Sequence, residues 1–385
     1  NEITDLLVKC AGEYRSDIDV DAVVQDAIGN VYDGITTHEL NLALVMSLKA
    51  RIERDPVYST VAARVLLNDL YRDVLGVNEF TPGFTATYRE GFGRAIEQGV
   101  AAGRLDPRMQ EFDITKLAAA LDHERDTSLK YMGVQVLYDR YFLQDREQQF
   151  LEVPQYFWMR VAMGLALLED AREEKALEFY DVMSTLHYVP STPTLFNAGT
   201  TRPQMSSCYL TTVEDDLSHI FKSLGDNAQL SKYTGGLGND WTNLRGTGAL
   251  IKSTNVGSQG VIPFLKIADT VTAAINRSGK RRGATCAYLE AWHYDFEEFL
   301  ELRKNTGDER RRTHDMNTAS WIPDLFVKRV IEDKPWTLFS PDEVPDLHHL
   351  YGKKFEQRYE EYEREAESGD IKLFRKVQAK DLWRK

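Results

Sequence analysis

Through the first half of the chain, apolar residues recur at three- and four-residue spacing, the period of helices with one buried face. In DVDAVVQDAI, Val20, Val23, Val24 and Ile28 share one face, and Asp19 stands before them as an N-cap. In YDGITTHELNLALVMSLKARI, Thr36 and Glu39 have capping-box spacing, and Leu40, Ala43, Leu44 and Leu48 form the apolar stripe. PVYSTVAARVLLNDLYRDVLG predicts a further helix that stops at Gly76. EFTPGFTATYREGFGRAIEQG and PQYFWMRVAMGLALLEDAREEKALEFYDVMSTL carry the same period over longer spans. Their many aromatic residues are read as core.

After Pro190 the pattern changes. SSCYLTTV (206–213), DWTNLRG (a strand over 239–245), GATCAYLEA and MNTASWIP predict strands. They alternate with helices predicted at 217–232, 263–276, 294–304 and 323–332, which implies a parallel α/β sheet. Leu217, Ile220 and Leu224 line the first of these helices, which stops at Gly235 and Gly236. Pro263 opens the second, whose expected apolar face is Phe264, Ile267, Ala268, Val271 and Ile275. TGGLG lacks the trailing Gly-Lys-Ser/Thr of a P-loop and is read as a turn. GTGALIKSTNVGSQG is read as a loop. KKFEQRYEEYEREAESGDIKLFRKV is read as a charged helix with a largely solvated face.

Composition narrows the class. At 385 residues, two or three domains are expected, divided here at 1–75, 76–189 and 190–385. The hydrophobic fraction of 42% and charged fraction of 28% fit a soluble globular protein. No apolar run approaches the roughly 18 residues of a membrane span. The start, NEITDLLVKC, does not resemble a signal peptide. A net charge of −13 argues against nucleic-acid binding. The three cysteines, Cys10, Cys208 and Cys286, form neither a disulfide framework nor a metal pair, so a reducing, cytoplasmic setting is expected and no metal site is assigned. The chain starts with Asn and stops in DLWRK, and both ends are expected to be cut.

Two stretches carry candidate chemistry. In NRSGKRRGA, Arg277, Lys280, Arg281 and Arg282 crowd together beside Gly279 and Gly283. Concentrated cations on flexible backbone suit a phosphate or a polar base edge, and equally suit a solvated basic turn. In PSTPTLFNAGTTRPQMSSCYL, Cys208 follows Ser206 and Ser207. Those hydroxyls and that of Thr192 can donate to phosphate. By itself a lone cysteine on a strand reads as a small inert hydrophobe, and Cys10 and Cys286 are taken as structural.

Taken together, PSTPTLFNAGTTRPQMSSCYL, SKYTGGLG, KRRGATCAYLEAWHYDFEEFLELRKNTG and WTLFSPDEVPDL resemble the large (catalytic) subunit of class I ribonucleotide reductase, in one order over nearly the whole chain. YDGITTHELNLAL resembles the later part of that family's ATP-cone, and VPQYFWMRVAMGLAL its helical domain. The fold implied is a mainly helical N-terminal region followed by the first half of a ten-stranded α/β barrel. The reaction implied is reduction of a ribonucleotide, expected to be a diphosphate, at the 2′ carbon. A thiyl radical takes the 3′ hydrogen, and a cysteine pair supplies two electrons. By motif Cys208 matches the first cysteine of that pair. Thr192, Ser207 and Gly236 match substrate-binding positions, and Arg281 in the second specificity loop matches a substrate-side contact. Asp215, Leu217, Arg245, Ile251 and Lys280 match the allosteric specificity site, which takes a deoxynucleoside triphosphate or ATP with its magnesium. Thr37, Asn41 and Arg72 match nucleotide-contacting positions of the ATP-cone, Asn41 standing where a histidine is expected.

The resemblance also implies partners. These are a homodimer through the helices at 217–232 and 263–276, a separate dimetal small subunit as radical source, and thioredoxin or glutaredoxin as reductant. An adenosylcobalamin-dependent class is the lesser alternative. The radical cysteine, the second redox cysteine and the C-terminal pair of the family lie in motifs this sequence does not contain. A complementary C-terminal segment is therefore expected, whether from a split subunit, an interrupted chain or a longer one. The alternative reading is a non-catalytic sensor of deoxynucleoside triphosphates.

Overall fold

The computed structural model describes residues 2–30, 32–232, 235–275 and 284–385. The basic cluster Arg277, Lys280, Arg281 and Arg282 lies outside them. The chain divides into two compact units, Asn1–Met205 and Ser206–Lys385.

Helices build the first unit: α1 (Glu2–Ala11), α2 (Val20–Ile28), α3 (Thr37–Lys49), α4 (Val57–Leu75), α5 (Phe84–Ala101), α6 (Ile114–Ala119), α7 (Tyr131–Val136), α8 (Pro154–Ala166), α9 (Arg172–Ser184) and α10 (Thr192–Asn197). Their ends follow local chemistry. The Ala22 amide donates to the Asp19 side chain at 3.0 Å. Thr36 and Glu39 form the reciprocal capping box, at 3.2 and 2.8 Å. Gly76 closes α4 at φ +75°, a conformation glycine adopts without a Cβ clash. In α2 the buried face is Val20, Val23, Val24 and Ala27, while Ile28 is 47% exposed. Position 27 completes the i, i+3, i+4, i+7 stripe, and 28 falls on its edge.

Helix α8 is buried on nearly every side. It clamps the segment that carries Thr192. The buried Arg160 pairs with Glu152 at 2.5 Å and donates to the Ala198 carbonyl at 2.9 Å. A Cβ on Gly164 would lie 2.0 Å from the Gly199 nitrogen, so only glycine permits this approach.

The second unit holds β1 (Cys208–Thr212), α11 (Leu217–Lys232), β2 (Gly236–Asp240), β3 (Thr247–Ile251), β4 (Val256–Gln259), α12 (Ile262–Ile275), β5 (Ala284–Glu290), α13 (Phe296–Glu301), β6 (Asn317–Trp321), α14 (Asp324–Ile331), β7 (Pro335–Phe339), α15 (Gly352–Ser368), β8 (Phe374–Gln378) and α16 (Ala379–Arg384). Among the described residues, β1, β2, β5 and β6 form a parallel sheet in that order. Helices α11 and α12 cover one face. There Leu237, Asn239, Thr285, Ala287 and Leu289 are buried. Asn227 of α11 donates to Asn239 at 2.7 Å, and Thr272 of α12 to Thr285 at 2.9 Å. On the opposite face Leu210 is 81% and Trp321 63% exposed. The β3–β4 hairpin and the β7–β8 pair, whose strands are separated by α15, are antiparallel.

Several sequence expectations shift. The second strand is Gly236–Asp240, so the glycines read as a turn begin the strand, and 241–246 forms the turn after it. The stretch read as a loop is the β3–β4 hairpin. Of the expected face of α12, Ala268 is buried and Phe264 packs partly buried against the core, but Ile262, Leu265, Asp269 and Thr272 are buried beside them and Ile267 faces outward. Asp269 is buried because its carboxylate accepts the amides of Asp315 and Met316 at 2.9 and 2.8 Å, so a polar residue took an inward position. The charged tail helix α15 buries Phe355, Tyr359, Tyr362 and Ala366.

Candidate functional site

Cys208 begins β1 at the amino end of the parallel sheet, opposite Gly236 of β2. The thiol is exposed on the open face, which rules out the inert buried role. The Gly236 amide donates to the Ser207 carbonyl at 2.7 Å. A Cβ on Gly236 would stand 3.3 Å from that carbonyl oxygen and 3.7 Å from Cys208 Sγ, so glycine leaves the space beside the thiol open.

Cys286 lies on the same face but two strands away, where β5 pairs with β2 through Gly238. Two strand spacings separate it from Cys208, roughly 10 Å, beyond the about 7 Å that a disulfide spans. Tyr288 neighbours both thiols. The charges of Cys286, first, and of Cys208 raise its phenol above the ordinary value, with burial and a hydrogen bond to Cys286 adding. Cys10 differs: burial pushes its thiol up to about 12, which leaves it protonated and unreactive.

A second constellation lies past the carboxyl ends of β1 and β2. Arg245 Nε donates to Asp215 Oδ2 at 2.6 Å, and its Nη1 to the Leu250 carbonyl at 3.0 Å. The arginine thus ties the segment after β1 to the β3–β4 hairpin, whose first strand ends at Ile251. Asp216 caps α11 by accepting the His219 amide at 2.9 Å. Leu217 and Phe221 on that helix are 62% and 51% exposed. Lys280 and Arg281, assigned to the same machinery by resemblance, lie outside the described residues.

The carboxyl ends of the sheet also border a cleft of about 490 Å³, lined by Leu210, Asp240, Tyr288, Glu290, Trp321 and His348 among others. His348 stands between two carboxylates, Nε2 2.8 Å from Asp240 and Nδ1 2.5 Å from Glu290. Hydrogen bonds to Asp240 and Glu290 push the imidazole up to about 10 against the effect of burial. Glu290 itself is raised by burial, and also accepts from the Trp292 indole. Sequence reading missed this triad. Its members are scattered along the chain, and no local motif marks any of them.

In the first unit, Thr37, Asn41 and Arg72 line one cleft of about 480 Å³, together with Lys9, Asn78 and Phe80. Thr192 begins α10, its hydroxyl 3.0 Å from that of Tyr141.

Comparison with known proteins gives these constellations a context. The description "Ribonucleotide reductase, barrel domain" matches residues 206–385, and "Ribonucleotide reductase, all-alpha domain" matches 127–203. The chain belongs to the ribonucleotide reductase large-subunit family. The ribonucleoside-diphosphate reductase subunit alpha of Chlamydia muridarum is 52% identical over 380 residues, 98% of this chain and 36% of that protein. Its counterpart in Helicobacter pylori is 43% identical over 376 residues, 97% of this chain and 45% of that protein. The large subunit of Arabidopsis thaliana is 36% identical over 393 residues, 100% of this chain and 46% of that protein. The chain thus spans between about a third and a half of these relatives. The helical region followed by an α/β unit with a parallel sheet is the family's order, with the barrel represented in part. Among the described residues, no helix is long and apolar enough to cross a membrane.

Proposed function

We propose that the chain supplies one redox cysteine, substrate contacts and an effector site to a ribonucleoside-diphosphate reductase. The observation that carries this reading is the exposed Cys208 at the amino end of a parallel sheet, within the family's barrel match. In the proposed reaction a thiyl radical on the complementary segment takes the 3′ hydrogen of the ribose and later returns it. The 2′ hydroxyl leaves as water. Cys208 and a second cysteine of that segment pass from two thiols to one disulfide, which supplies the two electrons. Ser207 donates to the substrate, Gly236 leaves room for it beside the thiol, and Arg281 reads it from the specificity loop. Thr192, in the first unit, is assigned a phosphate contact on the same grounds.

Asp215 accepts from the ribose or base of a deoxynucleoside triphosphate or ATP, which brings its own magnesium, and Arg245 and Lys280 meet its phosphates. Leu217 and Ile251 give the base its apolar surroundings. The exposed apolar side chains of α11 and α12, Leu217, Phe221 and Ile267, form the homodimer contact around this site. Thr37, Asn41 and Arg72 hold a nucleotide in the first unit's cleft. A dimetal small subunit of the class I type supplies the radical from outside, and a small dithiol protein, thioredoxin or glutaredoxin, reduces the disulfide.

The test is a reductase assay of the chain with its complementary segment, a class I radical-generating subunit and a dithiol. Cys208→Ser is expected to lower dithiol-supported turnover by at least 10³-fold. Binding of deoxynucleoside triphosphate should stay within twofold. Unchanged turnover in the variant would sink the reading, and effector binding without turnover in any reconstituted form would favour a sensor.

A further inference from the structure

Helices α3 and α4 form an antiparallel pair, which brings the first turn of α3 beside the last turns of α4. His38 comes from α3, and Asp69 and Asp73 from α4. The two acids are four residues apart and so share one helical face. A nitrogen of His38 and one carboxylate oxygen from each acid all lie within 4.8 Å of one another. His38 Nδ1 stands 2.6 Å from Asp69 Oδ2. The Asp69 side chain is only 4% exposed, while that of His38 is 42% exposed and Asp73 faces solvent. We propose that His38, Asp69 and Asp73 bind one divalent transition-metal ion of the manganese or zinc class.

Three features carry this assignment. Bonds of about 2.0–2.2 Å to one ion put neighbouring ligand atoms roughly 3 Å apart. His38 and Asp69 stand at 2.6 Å and no pair exceeds 4.8 Å, so side-chain rotations bring all three atoms onto one ion. The ligand set of one imidazole and two carboxylates is the mixture that suits manganese or zinc and departs from the all-oxygen set that calcium and magnesium prefer. The buried acid is also oriented from behind. Asn41 Nδ2 donates to Asp69 Oδ1 at 2.6 Å, the supporting contact that fixes a ligating carboxylate. Asp73 stands near the carboxyl end of α4, where the helix dipole disfavours an anion and favours a cation. His38 and Asp73 leave the outer side of the ion to water. Asn41 and Arg72, from the same two helices, line the neighbouring cleft.

The assignment is independent of the reductase reading, since its test involves neither substrate nor turnover. Manganese is the probe, because zinc also favours thiol ligands and manganese does not. The chelator-stripped 385-residue chain is titrated with Mn²⁺ alone, and bound ion is followed by loss of the free-ion electron paramagnetic resonance signal. One ion per chain is expected at micromolar affinity, weakened at least tenfold by Asp73→Asn and by His38→Gln. Asp73 is exposed, so its variant keeps the fold, and equal melting temperatures in chelator check this. Mn²⁺ should raise the melting temperature of the unaltered chain and not that of either variant. Absence of binding up to millimolar Mn²⁺, or equal affinity in the chain and both variants, would overturn the proposal.

Discussion

Asp126 is a carboxyl sealed inside the first unit. It accepts from Tyr71 Oη at 2.5 Å, Tyr88 Oη at 3.0 Å and Gln155 Nε2 at 2.6 Å. Burial outweighs these three bonds and pushes its pKa from 3.8 up to about 7. The unfolded chain releases this proton near pH 4, and the folded chain keeps it until about pH 7. Between those values the folded state binds more protons, so this group's contribution to stability falls as pH rises and is level above about 8. A shift of that size corresponds to at most roughly 4 kcal/mol. Asp126→Asn removes the titration while keeping an acceptor, and the tyrosine hydroxyls can turn to meet the new amide. Denaturant melts at pH 5 and pH 8 should show the variant gaining on the unaltered chain by about 1–3 kcal/mol. A difference that does not change with pH would refute the shift. No sequence feature marks Asp126, because its partners lie 29 to 55 residues away and meet it only in the packed core. Cys208, by contrast, was singled out by the family resemblance of the stretch around it, since its neighbouring serines alone left it an inert hydrophobe.

At the scale of elements, helices with local end signals were legible and glycine-rich strands were not. The caps at Asp19 and Thr36 and the stop at Gly76 act within four residues, and each forms as read. Strand β2 has little intrinsic β preference, because Gly236 and Gly238 have no side chain to pack. Tertiary fit decides there: a Cβ on Gly238 would lie 2.6 Å from Leu210 and 3.0 Å from Tyr288, side chains of the neighbouring strands. The β7–β8 pair went unread because its strands lie on either side of α15 and its anchor is remote, with Tyr359 of α15 donating to the Thr337 carbonyl at 2.7 Å and accepting its amide at 2.6 Å. The segment Leu347–Tyr351 was equally silent, and it is held to the sheet by His348. With a folded pKa of about 10, the imidazolium persists through neutral pH. Its contribution is complete below about pH 6.5 and is lost as pH rises through about 10. His348→Gln should raise amide exchange over 347–351 at least tenfold at pH 7, with β7 and α15 protected as before. Unchanged exchange there would mean that the ion pairs do not hold the segment.

At the scale of the whole molecule, the open sheet face is the governing feature. Parallel sheets are stable when both faces are covered, since their strands carry apolar side chains on each side. Here α11 and α12 cover one face, and the other presents Leu210, Cys208, Tyr288 and Trp321. Tyr351, 84% exposed, stands at the border of its cleft. Among the described residues β1 and β6 are also edge strands, with backbone groups ready to pair. A face of this kind recruits a cover. The net charge of −13 opposes self-association at low salt and opposes it less as salt screens the repulsion. The chain alone is therefore expected to associate with itself increasingly between about 20 mM and 500 mM salt, as read by sedimentation velocity. Addition of the complementary barrel segment should replace those species with a one-to-one complex. Leu210→Glu with Trp321→Glu places two charges on the face without touching the helical side. That pair of changes should abolish both the salt-dependent association beyond the α11–α12 dimer and capture of the segment while leaving the far-ultraviolet circular dichroism unchanged. If the double variant still captures the segment with unaltered affinity, the cover sits elsewhere, and Cys208 does not face its redox partner across this surface.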